Sequence, residues 1–298
     1  MKKNSILFFL CLCSAMGAAA QNWPEVKPEA RPGSRWWWLG SAVDKDNLNY
    51  NLKEYGKAGL GSLEVTPIYG VKGNESHNLC FLSPEWMEMF RYTQEVGKTN
   101  GIDIDMNTGT GWPFGGPEVS LSQAAAKAIF ECYEVKGGEP VKLEINIRDP
   151  KEQKQWDVAY LDCLMAYGTD GKVVNLTKKV KDGYLQWDAP AGDWQLVALF
   201  VGRTFQKVKR AAPGGEGYVM DHFSPVSVKS YFEKFDKAFK TNKVNFPRTF
   251  FNDSYEVYGA DWTPAFLKEF AARRGYRLEN HFPEFISPER TELIHNIS

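Results

Sequence analysis

The sequence is short of the features that mark several functional classes. It has five cysteines, of which Cys11 and Cys13 fall in the N-terminal segment. Cys80, Cys132 and Cys163 have no Cys-x-x-Cys spacing, which excludes zinc-ribbon and thioredoxin-like redox motifs. The four histidines, His77, His222, His281 and His295, are too scattered for a zinc cluster. With 36 Lys+Arg against 37 Asp+Glu, the chain lacks the basic excess of a nucleic-acid binder. Beyond the N-terminus no apolar run approaches the ~20 residues of a membrane span. No glycine fingerprint of a dinucleotide fold follows the first strand. The glycine-rich stretch Asn107–Gly116 lacks the Gly-Lys-Ser/Thr ending of a phosphate loop.

What is present is aromatic: 14% of residues, with Trp 10 and Tyr 13. Aromatic faces suit the C–H faces of sugar rings, and equally suit a large aromatic core. Residues 1–20 read as a secretory signal peptide, with Lys2 and Lys3, an apolar Ile6–Leu12 and the small Ala18-Ala19-Ala20. They predict an exported protein, periplasmic or extracellular. One disulfide at most is available, Cys132 with Cys163 the preferred pair, against the favoured reading of buried free thiols.

Two patterns alternate along the rest. Short apolar runs at Arg35–Leu39, Leu63–Ile68 and Ile102–Met106 predict strands. Between them lie amphipathic helices, one capped by Asp44 and one opened by Ser83-Pro84. This βαβαβ order predicts a parallel sheet. From Ala128 to Thr204 six strands with Asp-Gly turns and no helix predict an inserted antiparallel β-sandwich. Helical alternation then resumes. A strand at Val219–Asp221, a helix from Ser224-Pro225, a strand at Arg248–Asn252 and helices from Thr263-Pro264 and Ser287-Pro288 are expected. The fold expected is α/β, a (β/α)8-type barrel that is incomplete at this length. Its parts are barrel units at 21–127, the insertion at 128–204 and further units at 205–298. An open doubly wound sheet is the alternative.

In such barrels reactive groups collect at the C-terminal ends of strands. Those positions here are Glu64, Asn107 with the Trp112 loop, Asp221-His222, and Asn252-Asp253-Ser254-Tyr255-Glu256. Carboxylates and aromatics on one rim suit a glycosidase. Each has a structural alternative: an ion pair for Glu64, a local pair for Asp221 and His222, a turn or cap for Glu256. For the glycine-rich stretch the alternatives are a rigid substrate loop and a plain connection.

The residues also carry a resemblance. Pro32–Gly40 with three consecutive tryptophans, Asp44–Thr66, Pro84-Glu85-Trp86, Asn107–Trp112 and Gly115-Gly116-Pro117 resemble the opening of glycoside hydrolase family 106. Phe251–Glu256, Trp262-Thr263-Pro264 and Phe270–Tyr276 resemble the same family. The resemblance implies an exo-acting, inverting α-L-rhamnosidase associated with calcium, acting on a rhamnose-containing oligo- or polysaccharide. It makes Glu256 the candidate catalytic acid, with a pKa raised by burial among Tyr255, Tyr258 and Trp262. Glu64, Asn107, Trp112, Asp221, His222 and Asp253 become candidates for substrate binding, and Asn107, Asp221 and Asp253 also for calcium. The second carboxylate is expected beyond Ser298. The other readings are a non-catalytic carbohydrate-binding relative and a different exo-glycosidase.

Overall fold

The computed structural model describes residue 24 and residues 26–287. The signal segment and the helix expected at Ser287-Pro288 lie outside the described residues, apart from Ser287 itself.

The first half follows the predicted alternation: β1 (Gly33–Leu39), α1 (Lys45–Lys57), β2 (Ser62–Ile68), α2 (Pro84–Thr99) and β3 (Asp103–Asn107). The Asp44 carboxylate accepts from Asn47 N at 2.9 Å and Ser83 Oγ from Trp86 N at 3.2 Å. Each satisfies a backbone donor that the helix leaves open at its start. Next come β4 (Gly115–Gly116), β5 (Ala126–Gly137), β6 (Pro140–Glu144), β7 (Tyr160–Gly168), β8 (Val173–Asn175), β9 (Val180–Lys181), β10 (Tyr184–Asp188), β11 (Gly192–Arg203) and β12 (Tyr218–Val219). The chain continues through α3 (Pro225–Asn242), β13 (Phe250–Phe251), α4 (Phe266–Arg274) and the short α5 (Phe282–Ile286).

Four strands form a parallel sheet in the order β1-β2-β3-β13. Alternation along β1 turns Trp36 and Trp38 toward the helices and Arg35 and Trp37 to the opposite face. The helix-side core joins Trp38, Leu63, Val65, Ile104 and Met106 to Leu48, Leu52, Trp86, Phe90, Phe235 and Phe239. Trp86 and Phe90 stack at 5.3 Å, one turn apart on α2. The other face stays open, and Trp37 there is 53% exposed.

The expected strand at Val219–Asp221 does not join this sheet; β3 pairs directly with β13. β12 instead runs antiparallel to β4. Its backbone is committed to loops: Val219 N donates to Gln206 O, Val219 O accepts from Ala125 N, and Asp221 N donates to Gln123 O. A run this short cannot pair on both sides with barrel strands once those bonds are made.

The central region forms two antiparallel sheets, β5-β11-β7-β8 and β6-β10-β9. They share one core in which Leu164, Ala166, Leu196 and Ala198 meet Leu185 and Trp187. The opposite face of the larger sheet, with Cys163, Met165, Val197 and Leu199, packs on Trp262, Phe270 and Phe282. Burial on both faces explains the unbroken apolar run of β11. The first and last residues of this stretch, Ala126 and Arg203, are paired on β5 and β11.

β11 also decides the cysteine question. Cys132 pairs with Val197 and Cys163 with Leu199, so a whole strand separates them. Two strand spacings are roughly 10 Å, beyond the ~7 Å limit for a disulfide. All three cysteines are free thiols, but only Cys163 is buried.

Candidate functional site

The loops at the C-terminal ends of β2, β3 and β13 gather on one side of the parallel sheet. Thr108 N donates to Phe251 O at 2.8 Å and Gly111 N to Pro67 O at 3.0 Å, which ties the three ends together.

Glu64 lies on the open face of β2, where its carboxylate takes the Arg35 guanidinium at 3.1 Å and the Thr66 hydroxyl at 2.9 Å. The same guanidinium reaches Asp253 at 2.7 Å and lies over the Phe251 ring. Arg35 therefore joins two of the candidate residues. An arginine immediately before the three tryptophans of a predicted strand was the signal available for it in the sequence.

Asn107 is buried at the end of β3 and serves its own loop. Its amide donates to Gly111 O at 3.2 Å and its oxygen accepts from Thr108 N at 2.9 Å. Trp112 is half-buried, and its backbone exchanges two 3.0 Å hydrogen bonds with Lys209. The Tyr231 hydroxyl, fully buried on α3, lies 2.7 Å from Thr108 O and 3.1 Å from Gly115 O, fixing this loop from beneath.

Asp221 is 2% exposed. Its carboxylate accepts from the Thr263 hydroxyl at 2.8 Å and from Phe223 N at 3.0 Å. Burial raises its pKa, against the opposing pull of those two donors and of His222 and Arg203. Thr263 was expected to open a helix, but α4 begins at Phe266 and Thr263 is the buried partner of Asp221 instead. Burial lowers the pKa of His222, with Asp221 opposing. At neutral pH the imidazole is uncharged. His222 lies 4.3 Å from the Phe223 ring and 4.9 Å from the Tyr255 ring. With Val257 and Ala260 these three line a cavity of about 360 Å³. Phe223 was not singled out by the sequence, where it reads as one more apolar residue before a helix.

Glu256 follows Tyr255 on the loop beside this cavity. The burial expected for it does not occur: Glu256 is exposed, and Tyr255 and Tyr258 are 64% and 65% exposed. Of the three rings expected around it only Trp262 is buried, and that ring packs on Phe130 and Phe266. The physical reason is local. The loop backbone turns back on itself through Val257 N to Tyr255 O at 2.7 Å, so Val257 takes the inward position.

No group of three His, Cys, Asp or Glu side chains gathers to hold a metal among the described residues. Asn107, Asp221 and Asp253 each serve the other partners named above.

The profile of glycoside hydrolase family 106, described as alpha-L-rhamnosidase, matches residues 24–159 and 165–287. The chain belongs to this family. A protein of Formosa agariphila provisionally named a beta-glucuronidase is 25% identical over 297 residues, covering 86% of this chain and 25% of that protein. A rhamnosidase structure from Novosphingobium sp. PP1Y superposes with a TM-score of 0.70 at 16% identity, covering 87% of this chain and 42% of the other. The family 106 chain thus shares a mixed α/β fold with that rhamnosidase and spans less than half the length of either relative.

Proposed function

We propose that this chain carries one half of the catalytic apparatus of an exported glycoside hydrolase that removes terminal α-L-rhamnose from glycans. The observation that supports it best is the placement of Glu256. The residue sits on the loop after β13, at the C-terminal end of a parallel sheet, next to a cavity lined by His222, Phe223 and Tyr255. Inversion needs one carboxylic acid to protonate the leaving oxygen and one carboxylate to activate water. Glu256 is the acid in this reading. Its open position leaves dehydration to the substrate: a sugar stacked on Tyr255 would cover the carboxyl group and exclude water from it when bound. Asp253, held by Arg35, and neutral His222 are placed to bind sugar hydroxyls, and Asp221 fixes the turn after His222 by accepting from Phe223 N. The carboxylate that activates water belongs to the part of such enzymes that this chain does not span.

The same reading takes the four parallel strands as part of a (β/α)8-type barrel, from residues 21–127 and 205–298. Residues 128–204 are the inserted β-sandwich. Export through residues 1–20 to the periplasm or beyond goes with it.

The test is release of an aryl leaving group from an aryl α-L-rhamnoside by the chain and by Glu256→Gln, with azide supplied to attack the anomeric carbon in place of the water that the absent carboxylate would activate. The substitution should lower kcat by about 10²–10⁴, and unchanged turnover would remove Glu256 from the mechanism. A second reading, a carbohydrate-binding chain without turnover, draws on Glu256, whose exposed carboxylate has no partner among the described residues, beside an aromatic cavity. It predicts saturable fluorescence quenching by L-rhamnose and no product. Turnover of an aryl β-D-glucuronide instead would favour a different exo-glycosidase.

A further inference from the structure

The loop 252–261 has no regular secondary structure, yet it must present Glu256 in one place. Among the described residues, the hydrogen bonds that tie 254–259 to any other segment come from one side chain. The Gln206 amide donates to Glu256 O at 2.9 Å, and its oxygen accepts from Tyr258 N at 2.8 Å. A primary amide that donates to a carbonyl and accepts from the N–H two residues on reproduces the pairing of a neighbouring strand.

Gln206 is itself held firmly. Its carbonyl accepts from Val219 N at 2.9 Å and its N–H donates to the Thr204 hydroxyl at 3.3 Å. Phe205 before it holds a left-handed φ of 55°, uncommon for a bulky residue and maintained only where the surroundings require it. That turn swings the chain off the end of β11 and under the loop. Val208 packs with Val257 and Ala260 alongside, and Lys209 lies over the Tyr258 ring at 4.5 Å.

We propose that Gln206 is a positioning residue that clamps the loop presenting Glu256. The proposal rests on the reading of Glu256 as the acid. No other side chain fills the role: Glu keeps the acceptor and loses the donor, Leu keeps the shape and loses both, and Asn is one methylene short.

The test uses the full chain with Gln206→Leu and Gln206→Glu, read by amide hydrogen exchange and by turnover of an aryl α-L-rhamnoside. In Gln206→Leu the Tyr258 amide should exchange at least ~10-fold faster, while β11 amides stay protected and show the fold intact. Gln206→Glu should keep most of the Tyr258 protection. kcat should fall about 10–100-fold in Gln206→Leu with KM nearly unchanged. Unaltered Tyr258 exchange overturns the clamp, as does faster exchange with unchanged kcat. Glu256→Gln separates the two claims, since it leaves Tyr258 protected and removes turnover. If the parent chain has no turnover even with azide supplied as nucleophile, the acid assignment fails while the exchange result still decides the clamp.

Discussion

Arg35, on β1, holds its guanidinium 2.7 Å from the carboxylate of Asp253, just beyond β13, although β1 and β13 are opposite edges of the four-stranded sheet. In a flat sheet these edges stand roughly 14 Å apart, too far for one side chain to bridge. The contact therefore measures how strongly the sheet coils. It also makes Arg35 the counter-charge for Glu64 and Asp253 together. Arg35→Met should cost about 1–2 kcal/mol in urea unfolding, two partly exposed pairs each contributing up to about 1. Arg35→Lys should recover part of this, because a point charge cannot serve both carboxylates as a fork does. In the Met background Asp253→Asn should cost less than in the parent chain, and equal costs would mean that the two residues are not coupled.

A second arginine fastens the newest strand to its neighbour. Arg248 makes a bidentate contact with Asp105, at 3.0 and 2.6 Å, and Thr249 N adds 3.1 Å to the same carboxylate. Asp105 raises the pKa of Arg248, so the guanidinium of this pair is held in its charged form. β13 is only two residues long, and this fork replaces ladder bonds it does not have. Asp105→Asn should destabilise the chain by about 2–3 kcal/mol, because it removes the charge and leaves Arg248 without its fork. Exchange at β13 amides should rise more than exchange within β11. A loss spread evenly over both would show that the fork is not specific to β13.

Periodicity and caps made the first three strands, α1 and α2 legible, because Asp44, Ser83 and the tryptophan faces act within a few residues of themselves. The strands of the central region were legible for the same reason, although β9 was too short to be seen. What sequence could not show was partnership at a distance. Asp221 was placed on a strand end and Thr263 at a helix start, yet they are hydrogen-bonded to each other across 42 positions. Gln206 has no pattern at all; its importance exists only where the 254–259 loop crosses it. The error on Val219–Asp221 has the same origin, since so short a run, two apolar residues before an aspartate, does not specify which backbone it will pair with.

Gly111 tests how tightly the glycine-rich loop is built. Its φ is +55°, and a Cβ there would lie 2.0 Å from Lys209 O. The blocking atom belongs to a backbone that is itself bonded to Trp112, so it cannot move without breaking that pairing. Gly111→Ala should cost about 3 kcal/mol or more and release the Trp112–Lys209 amides to exchange. Gly259 supplies the control: φ is +69°, with nothing within 4 Å of its Cβ position. Gly259→Asn should cost under about 1 kcal/mol, asparagine tolerating that backbone. Equal costs at the two sites would show that conformation alone, and not the close approach, sets the penalty at Gly111.

Asp221 gives the chain a pH dependence of defined sign. Burial raises its carboxyl above the ordinary 3.8, so the folded chain holds this proton more tightly than the unfolded chain does. The stability linked to that proton is fully present below 3.8 and is lost as pH rises through the folded-state value. Asp221→Asn has no proton to lose, and its side chain can still accept from Phe223 N and donate to Thr263 Oγ. The stability of the parent chain relative to Asp221→Asn should therefore be greatest at acid pH. It should then decline by up to about 1.4 kcal/mol per pH unit through the transition and level off above it. Urea unfolding of both chains from acid to neutral pH reads the difference directly. His222, whose pKa is lowered, acts oppositely as pH falls below 6.5, but it is present in both chains and cancels unless Asp221 couples to it. A difference that rises with pH would mean that the hydrogen bonds from Thr263 and Phe223 outweigh burial at this carboxylate.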